Sequence, residues 1–159
     1  MTPTDSPQPP VIDAGQFSTN DWLPSLEDAC LEWGCFQLIN HGIEQHLLNS
    51  IVNQMQHFFA LSGAEKRAVE RTRSNAWGFY DRELTKNFRD WKEIFDLGPA
   101  AETGPMAGSA PQWPVGQDDF REVVEQAFLA LEKVASNVLR GIGENLGMDE
   151  AYRERNFHQ

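Results

Sequence analysis

The sequence predicts an α+β fold that is rich in helix and has only a few short strands. Apolar residues recur at helical spacing over several long segments, whereas the apolar runs typical of strands are short. Segments rich in Gly and Pro separate these strands. Because short strands with apolar faces need partner strands, we expect the chain alone to form an incomplete domain.

Length and charge restrict the class of protein. The chain has 159 residues and a net charge of -11, which suits one domain over residues 10–159 that binds neither nucleic acid nor an anionic membrane. No apolar stretch approaches the ~20 residues that cross a bilayer. Residues 1–9 form a flexible Pro-rich tail without the basic start and apolar run of a signal peptide, so we predict a cytoplasmic location.

The N-terminal part predicts two strand–helix pairs. A short apolar run at 10–13 predicts a strand, and a helix follows it, capped by one of three polar residues and ended by Gly34. Residues 35–39 predict a buried strand, and a second helix begins near Glu44. The three candidate caps are Ser18, Asn20 and Asp21.

The rest of the chain predicts two further helices around an irregular middle. Ser62 and Glu65 have the spacing of a capping box and predict a short, solvated helix to about residue 71. A long helix starts at Asp118 or Asp119 and ends at Gly147, and the charged segment after it predicts no element. Between these helices we predict strands at 78–80 and 91–97 and a loop at 99–112.

The two cysteines predict structural thiols. Cys30 falls on the face of the first predicted helix, and Cys35 opens the apolar run after it. A zinc site needs about two more ligands at suitable spacing, and the sequence shows none. We therefore expect two buried, reduced thiols.

Five short segments occur in a characteristic order along residues 10–159. The most specific is 33–43, which contains Asn40-His41-Gly42, and the second landmark is Asp90-Trp91-Lys92-Glu93. The other segments are 10–13, 58–66 and 113–121. Together they resemble the N-terminal region of the isopenicillin N synthase-like dioxygenases. Cys35 and Gln112 depart from the usual residues of that family without touching its chemistry.

The resemblance implies a catalytic partner domain. In that family the N-terminal region packs on a double-stranded β-helix, a jelly-roll barrel that holds Fe(II) and 2-oxoglutarate. The metal ligands are two His and one carboxylate, the first two arranged as His-x-Asp/Glu. An Arg-x-Ser further on binds the cosubstrate carboxylate through the guanidinium fork.

These ligands are missing from the sequence. None of the four histidines, His41, His46, His57 and His158, is followed by Asp or Glu two residues later. No Arg-x-Ser occurs at a suitable position. His46 and His57 lie ~16 Å apart along one predicted helix, too far to share an ion. The chain therefore predicts no catalytic residue and no metal site, and we expect it to be inactive alone.

A few residues remain as candidates for contact with a substrate. Tyr80, Arg82 and Lys86 lie in the irregular middle, where the resemblance places a loop at the mouth of the barrel. A cation there could meet a substrate carboxylate. Strand alternation instead sends Lys92 and Glu93 to opposite faces, so we do not expect them to form one site.

Two hypotheses of different class follow. In the first, the chain is the N-terminal part of an oxygenase, from a truncated or split reading frame, and the intact protein oxidises a small organic substrate. In the second, it is a complete non-catalytic remnant or a binding module that pairs with another chain. Under either one, the second and the last helix should expose apolar stripes.

Overall fold

The computed structural model describes residues 7–157. Residues 1–6 of the predicted tail, together with His158 and Gln159, lie outside the described part. The chain forms two compact units. One unit comprises Met1–Glu44 and Phe128–Gln159, and the other comprises Gln45–Ala127.

Helices make up most of the regular structure, as the sequence predicts. The first α-helix is followed directly by a π-helical turn, Ala29–Trp33. A short 3₁₀ helix, Ala14–Gln16, precedes the first α-helix. None of the helices within residues 7–157 combines the length and apolar character that a membrane crossing requires. The α-helices are α1 Leu23–Asp28, α2 Gln45–Ala60, α3 Gly63–Arg67, α4 Asp118–Asn145 and α5 Glu150–Phe157.

The strands form three separate pairs. They are β1 Val11–Asp13, β2 Gln37–Ile39, β3 Gly78–Tyr80, β4 Leu84–Thr85, β5 Phe88–Arg89 and β6 Ile94–Asp96. β1 and β2 are parallel, whereas β3 pairs with β6 and β4 with β5 in antiparallel fashion. Each strand has two or three residues, and within residues 7–157 they close no barrel. The mixed helix-and-strand class is therefore confirmed.

The core of the first unit forms around Trp22. Its indole is buried with Ile12, Leu26 and Ala29. A Cβ atom at Gly141 would overlap the Trp22 ring, so only glycine permits α4 to approach this closely. The predicted helix end is confirmed, because Gly34 has a left-handed φ of 67°.

Three expectations for the first unit are wrong. The residue at the cap position of α1 is Trp22, without a side-chain hydrogen bond, so none of the three predicted polar caps acts there. Cys30 and Cys35 are exposed rather than buried. Cys30 lies in the π-helical turn directly after the buried Ala29, and its side chain points to solvent. β2 is largely exposed and only its central Leu38 is half-buried, since β1 is its single partner strand among the described residues.

The core of the second unit is a cluster of phenylalanines. Phe58 from α2 is fully buried, and its ring centroid lies 4.8 Å from that of Phe95 and 5.2 Å from that of Phe120. Val69, Phe79 and Val124 are also buried in this cluster. The apolar face predicted for the second helix thus supplies the centre of this unit.

Helix α3 differs from the predicted solvated helix. The capping box of Ser62 and Glu65 is present as predicted, but the helix already ends at Arg67. Lys66 is buried, and its Nζ donates to both carboxylate oxygens of Glu93 at 2.8 and 2.7 Å and to the carbonyl of Phe59 at 3.0 Å. A charge pattern does not reveal this burial, because the partner carboxylate lies 27 residues away in the sequence.

Helix α4 ends in a Schellman motif, and a further helix follows. Gly147 has a φ of 66°, and the Met148 N–H donates to the Gly143 carbonyl at 2.8 Å. The charged segment that predicted no element forms α5. Arg153 anchors α5 by donating to the Arg140 carbonyl and to Glu144 Oε1.

The predicted apolar exposure on the two long helices is confirmed. Val52 on α2 and Leu129, Leu131 and Leu139 on α4 are exposed. Leu131 of the predicted buried stripe is exposed, whereas Ile142 further along the stripe packs against the core around Trp22.

Replacing Glu93 tests the buried ion pair. Glu93→Ala leaves the Lys66 ammonium buried without a counter-charge, and we expect a loss of about 2 kcal/mol in the free energy of unfolding. This loss is smaller than for a fully buried ion pair because the Glu93 side chain is 37% exposed. Lys92→Met, which removes a surface pair with Glu83, should change the free energy of unfolding much less. Equal losses in urea unfolding of the two variants would contradict this account.

Glu144 predicts a pH-dependent contribution to stability. Burial disfavours its ionised form, but the hydrogen bonds and charges of Arg140 and Arg153 outweigh burial and lower the pKa of Glu144 below 4.5. The contribution is therefore present above pH 4.5 and is lost as the pH falls through the lowered value.

Urea unfolding at two pH values checks this contribution. Glu144→Gln should lower the free energy of unfolding by about 1 kcal/mol at neutral pH, with a difference that vanishes in acid. Glu125→Gln, which removes the surface pair with Arg121, is the matched control. A Glu144→Gln deficit that is the same at both pH values would refute the electrostatic cause.

Candidate functional site

The antiparallel ribbon of β3 and β6 has two unlike faces. Phe79 pairs with Phe95 in the register, and both side chains pack into the phenylalanine core. Because side chains alternate along a strand, Tyr80, Ile94 and Asp96 lie on the opposite face. All three are half-buried. We call these three residues the outer face of the ribbon.

Two arginines flank the aromatic ring of the outer face. The guanidinium carbon of Arg71 lies 3.7 Å from the ring centroid of Tyr80, and that of Arg82 lies 5.6 Å from it. Arg71 also pairs with Asp96 at 2.9 Å, and Arg82 pairs with Glu70. The face therefore offers a phenol and two fixed cations, which can bind and orient a polar ligand.

A glycine and a glutamine hold the ribbon in place. Gly78 has a φ of 120°, and a Cβ atom there would overlap the carbonyl oxygen of Val69. Gln112 Nε2 donates to the carbonyl of Glu70 at 3.1 Å and to that of Trp77 at 2.6 Å. Gln112, a departure from the usual family residue, thus bridges the ribbon and the segment that carries Arg71.

The structure brings together two of the three predicted substrate-proximal residues. The guanidinium carbon of Arg82 lies near the Tyr80 ring, and Tyr80 lies on β3, the strand that the sequence predicts over 78–80. Lys86 lies at the exposed tip of the β4–β5 hairpin, where Lys86 and Asn87 have φ values of 50° and 66°. Sequence reasoning missed this hairpin because its two-residue turn lacks the Asn-Gly or Asp-Gly signal.

Asp81 anchors the base of this hairpin. It is buried, and its Oδ2 accepts from Arg67 at 3.1 Å and from Arg89 at 3.2 Å. Among the described residues its Oδ1 has no hydrogen-bond partner. Asp81 lines a cleft of about 350 Å³. The other lining residues are Arg89, Asp90, Trp91, Lys92 and Glu93.

The Asp90-Trp91-Lys92-Glu93 motif borders this cleft. β6 covers only Ile94–Asp96 of the strand that the sequence predicts over 91–97, and Trp91 is 100% exposed, so the strand is shorter than predicted. Lys92 pairs with Glu83, which raises its pKa, while Glu93 pairs with Lys66. A hydrogen bond from Thr85 lowers the pKa of Asp90. Lys92 and Glu93 therefore have separate partners, although both border the cleft.

The Asn40-His41-Gly42 motif forms a turn. Asn40 and Gly42 have φ values of 52° and 75°, and Asn40 Nδ2 donates to Asp13 Oδ1 at 2.9 Å. The Ile43 N–H donates to Nδ1 of His41 at 3.1 Å. One nitrogen of His41 is thus engaged in shaping the turn after β2.

The described residues do not fit a metal site of the implied kind. Within residues 7–157 no three His, Cys, Asp or Glu side chains are grouped so that they could hold an ion. His46 and His57 lie exposed on α2, along a polar groove that also borders Asp119 and Glu122. We therefore assign no chemical step to these residues through a metal.

Comparison with known proteins identifies the family. Residues 9–116 match the family described as non-haem dioxygenase in morphine synthesis N-terminal. The chain is 30% identical to S-norcoclaurine synthase 1 of Coptis japonica over 148 residues, which is 88% of this chain and 41% of that protein. It is 29% identical to flavonol synthase/flavanone 3-hydroxylase of Matthiola incana over 94% of this chain and 51% of that protein.

Solved structures share the fold. A full-length Neurospora crassa protein in complex with alpha-KG matches with a TM-score of 0.74 and 24% identity, covering 95% of this chain and 51% of that one. A putative 2OG-Fe(II) oxygenase family protein from Caulobacter crescentus matches with a TM-score of 0.68 and 18% identity, covering 91% of this chain and 50% of that one.

The chain thus spans about half the length of the curated relatives it matches. The family match covers most of the chain, and the relatives support the predicted resemblance over 88–95% of it. The chain belongs to the non-haem dioxygenase N-terminal family, the N-terminal region of the 2-oxoglutarate- and iron(II)-dependent oxygenases.

Proposed function

We propose that this chain is the N-terminal, non-catalytic part of a 2-oxoglutarate- and Fe(II)-dependent dioxygenase that oxidises a small organic substrate. A C-terminal β-helix barrel would hold Fe(II) and 2-oxoglutarate, and the chain alone would be inactive. The family match and the coverage of about half of each relative support this assignment. A cytoplasmic location, and the absence of nucleic-acid and membrane partners, remain predictions.

The family match carries the oxygenase assignment, and the two-faced ribbon supports the position that we propose for the substrate. One face packs into the phenylalanine core, and the other is polar and half-buried. A surface of this kind suits contact with a polar ligand or with a further layer of protein. We place the substrate near Tyr80, Arg82 and Lys86, whose role would be to bind and orient it. The motifs at 40–42 and 90–93 would be structural.

Exposed apolar residues keep a second function under consideration. The uncovered side chains on α2 and α4 also suit a complete, non-catalytic module that pairs with a separate chain. The two functions differ in one respect: only the first requires a polypeptide that continues into metal and cosubstrate ligands.

Substitutions in the polypeptide that contains the barrel test the site. A panel of small carboxylates and phenols is first screened for substrate-dependent release of succinate from 2-oxoglutarate. Arg82→Ala should then lower kcat/KM for the substrate about tenfold, because one oriented cation is lost. Lys86→Ala should have a smaller effect, since the side chain lies at an exposed tip.

Two controls make this test specific. Lys133→Ala removes an exposed lysine of α4, and it should leave kcat/KM unchanged. Succinate formed without substrate should be the same in all variants, because it depends on the barrel. Unchanged kinetics for Arg82→Ala would remove Arg82 from the site, and turnover by the 159-residue chain alone would refute the non-catalytic role.

A further inference from the structure

We propose that Asp96 is a specificity-determining residue, which makes the outer face of the ribbon select uncharged polar substrates over carboxylates. The inference deepens the proposed function and rests on the substrate position given there. The sequence alone leads us to expect a cation at this position that meets a substrate carboxylate. The structure instead gives each of the two arginines beside Tyr80 a carboxylate of its own.

The charges beside the Tyr80 ring cancel. Arg71 lies against the ring, with its guanidinium carbon 3.7 Å from the centroid, and pairs with Asp96 at 2.9 Å. Arg82, with its guanidinium carbon 5.6 Å from the same centroid, pairs with Glu70. A substrate carboxylate at either arginine would have to displace an internal carboxylate or lie beside it. Both arrangements weaken binding of an anion.

Partial burial makes this charge balance effective. The side chains of Arg71 and Asp96 are only 29% and 37% exposed, so water and salt screen their charges less than those of a fully exposed pair. Asp96 is also held in place by its backbone, because it belongs to β6 and lies opposite Gly78 in the register of the ribbon. An anion that approaches Arg71 therefore meets the negative charge of Asp96.

Uncharged polar groups find free hydrogen-bonding capacity at the same face. Within residues 7–157 the Tyr80 hydroxyl has no hydrogen-bond partner. Arg71 donates to Asp96 through Nη1, which leaves its other N–H groups available to a carbonyl oxygen. Such contacts leave both ion pairs intact. We therefore expect the substrate to present a carbonyl, amide or hydroxyl group to this face.

Binding of two matched probes to the polypeptide that contains the barrel tests the inference. The probes are benzamide and benzoate, which differ in the charge of one group. Benzamide should bind at least about tenfold more tightly than benzoate in ligand-observed NMR titrations. Asp96→Asn keeps the size of the side chain but exposes the charge of Arg71, and it should shift this ratio toward benzoate by about tenfold or more.

Two further variants make the test specific. Glu70→Gln frees the charge of Arg82 in the same way, so it should shift the ratio in the same direction even if Asp96→Asn does not fold. Glu125→Gln removes one negative charge from the surface pair with Arg121, and it should leave the ratio unchanged. The gain in benzoate affinity should shrink as salt is added, whereas benzamide binding should not depend on salt.

Three results would overturn the inference: tighter binding of benzoate than of benzamide, binding of neither probe, or a ratio that Asp96→Asn and Glu70→Gln leave unchanged. Formation of succinate reports separately on the proposed function. Succinate release together with a preference for benzoate would keep the oxygenase and reject the role of Asp96. A preference for benzamide that shifts in the variants, without succinate release on any compound of the panel, would support the role of Asp96 and count against the oxygenase.

Discussion

The buried ammonium of Lys66 fixes the segment on which the second unit depends. A buried cation is tolerated only with a counter-charge and satisfied donors, and Lys66 obtains both from Glu93 and the Phe59 carbonyl. The capping box of α3 sets the position of Lys66. Glu93 immediately precedes β6, so this pair positions β6 for pairing with β3. The two-faced ribbon follows from that pairing.

The ribbon presents, as a result of a structural constraint, the surface that we propose as a binding site. Because Phe79 and Phe95 are committed to the core, the alternating residues Tyr80 and Asp96 must lie on the other face. The ion pairs of Arg71 and Arg82 then fix two cations beside the phenol. Under the proposed function, this ordered surface would lie beside a catalytic barrel. An N-terminal part without metal ligands would then contribute to the substrate entrance.

Local signals predicted much of the fold, whereas long-range pairing accounts for the failures. The capping box at Ser62, the end of the first helix at Gly34 and the strand at 78–80 depend on neighbouring residues, and they were predicted. The burial of Lys66 depends on a partner far along the chain. The exposure of Cys30 depends on a π-helical turn, and the missed hairpin on a turn without glycine. For the site, Tyr80 and Arg82 were named together, but Arg71 was not, because only the fold brings it to the ring.

The DNA that follows codon 159 tests the central claim most directly. If the chain is the N-terminal part of an oxygenase, translation of that DNA should show a His-x-Asp or His-x-Glu pair, a distal His and an Arg-x-Ser, in frame or after one frameshift. Downstream sequence that lacks these ligands in every frame would contradict the claim and favour a module that pairs with another protein.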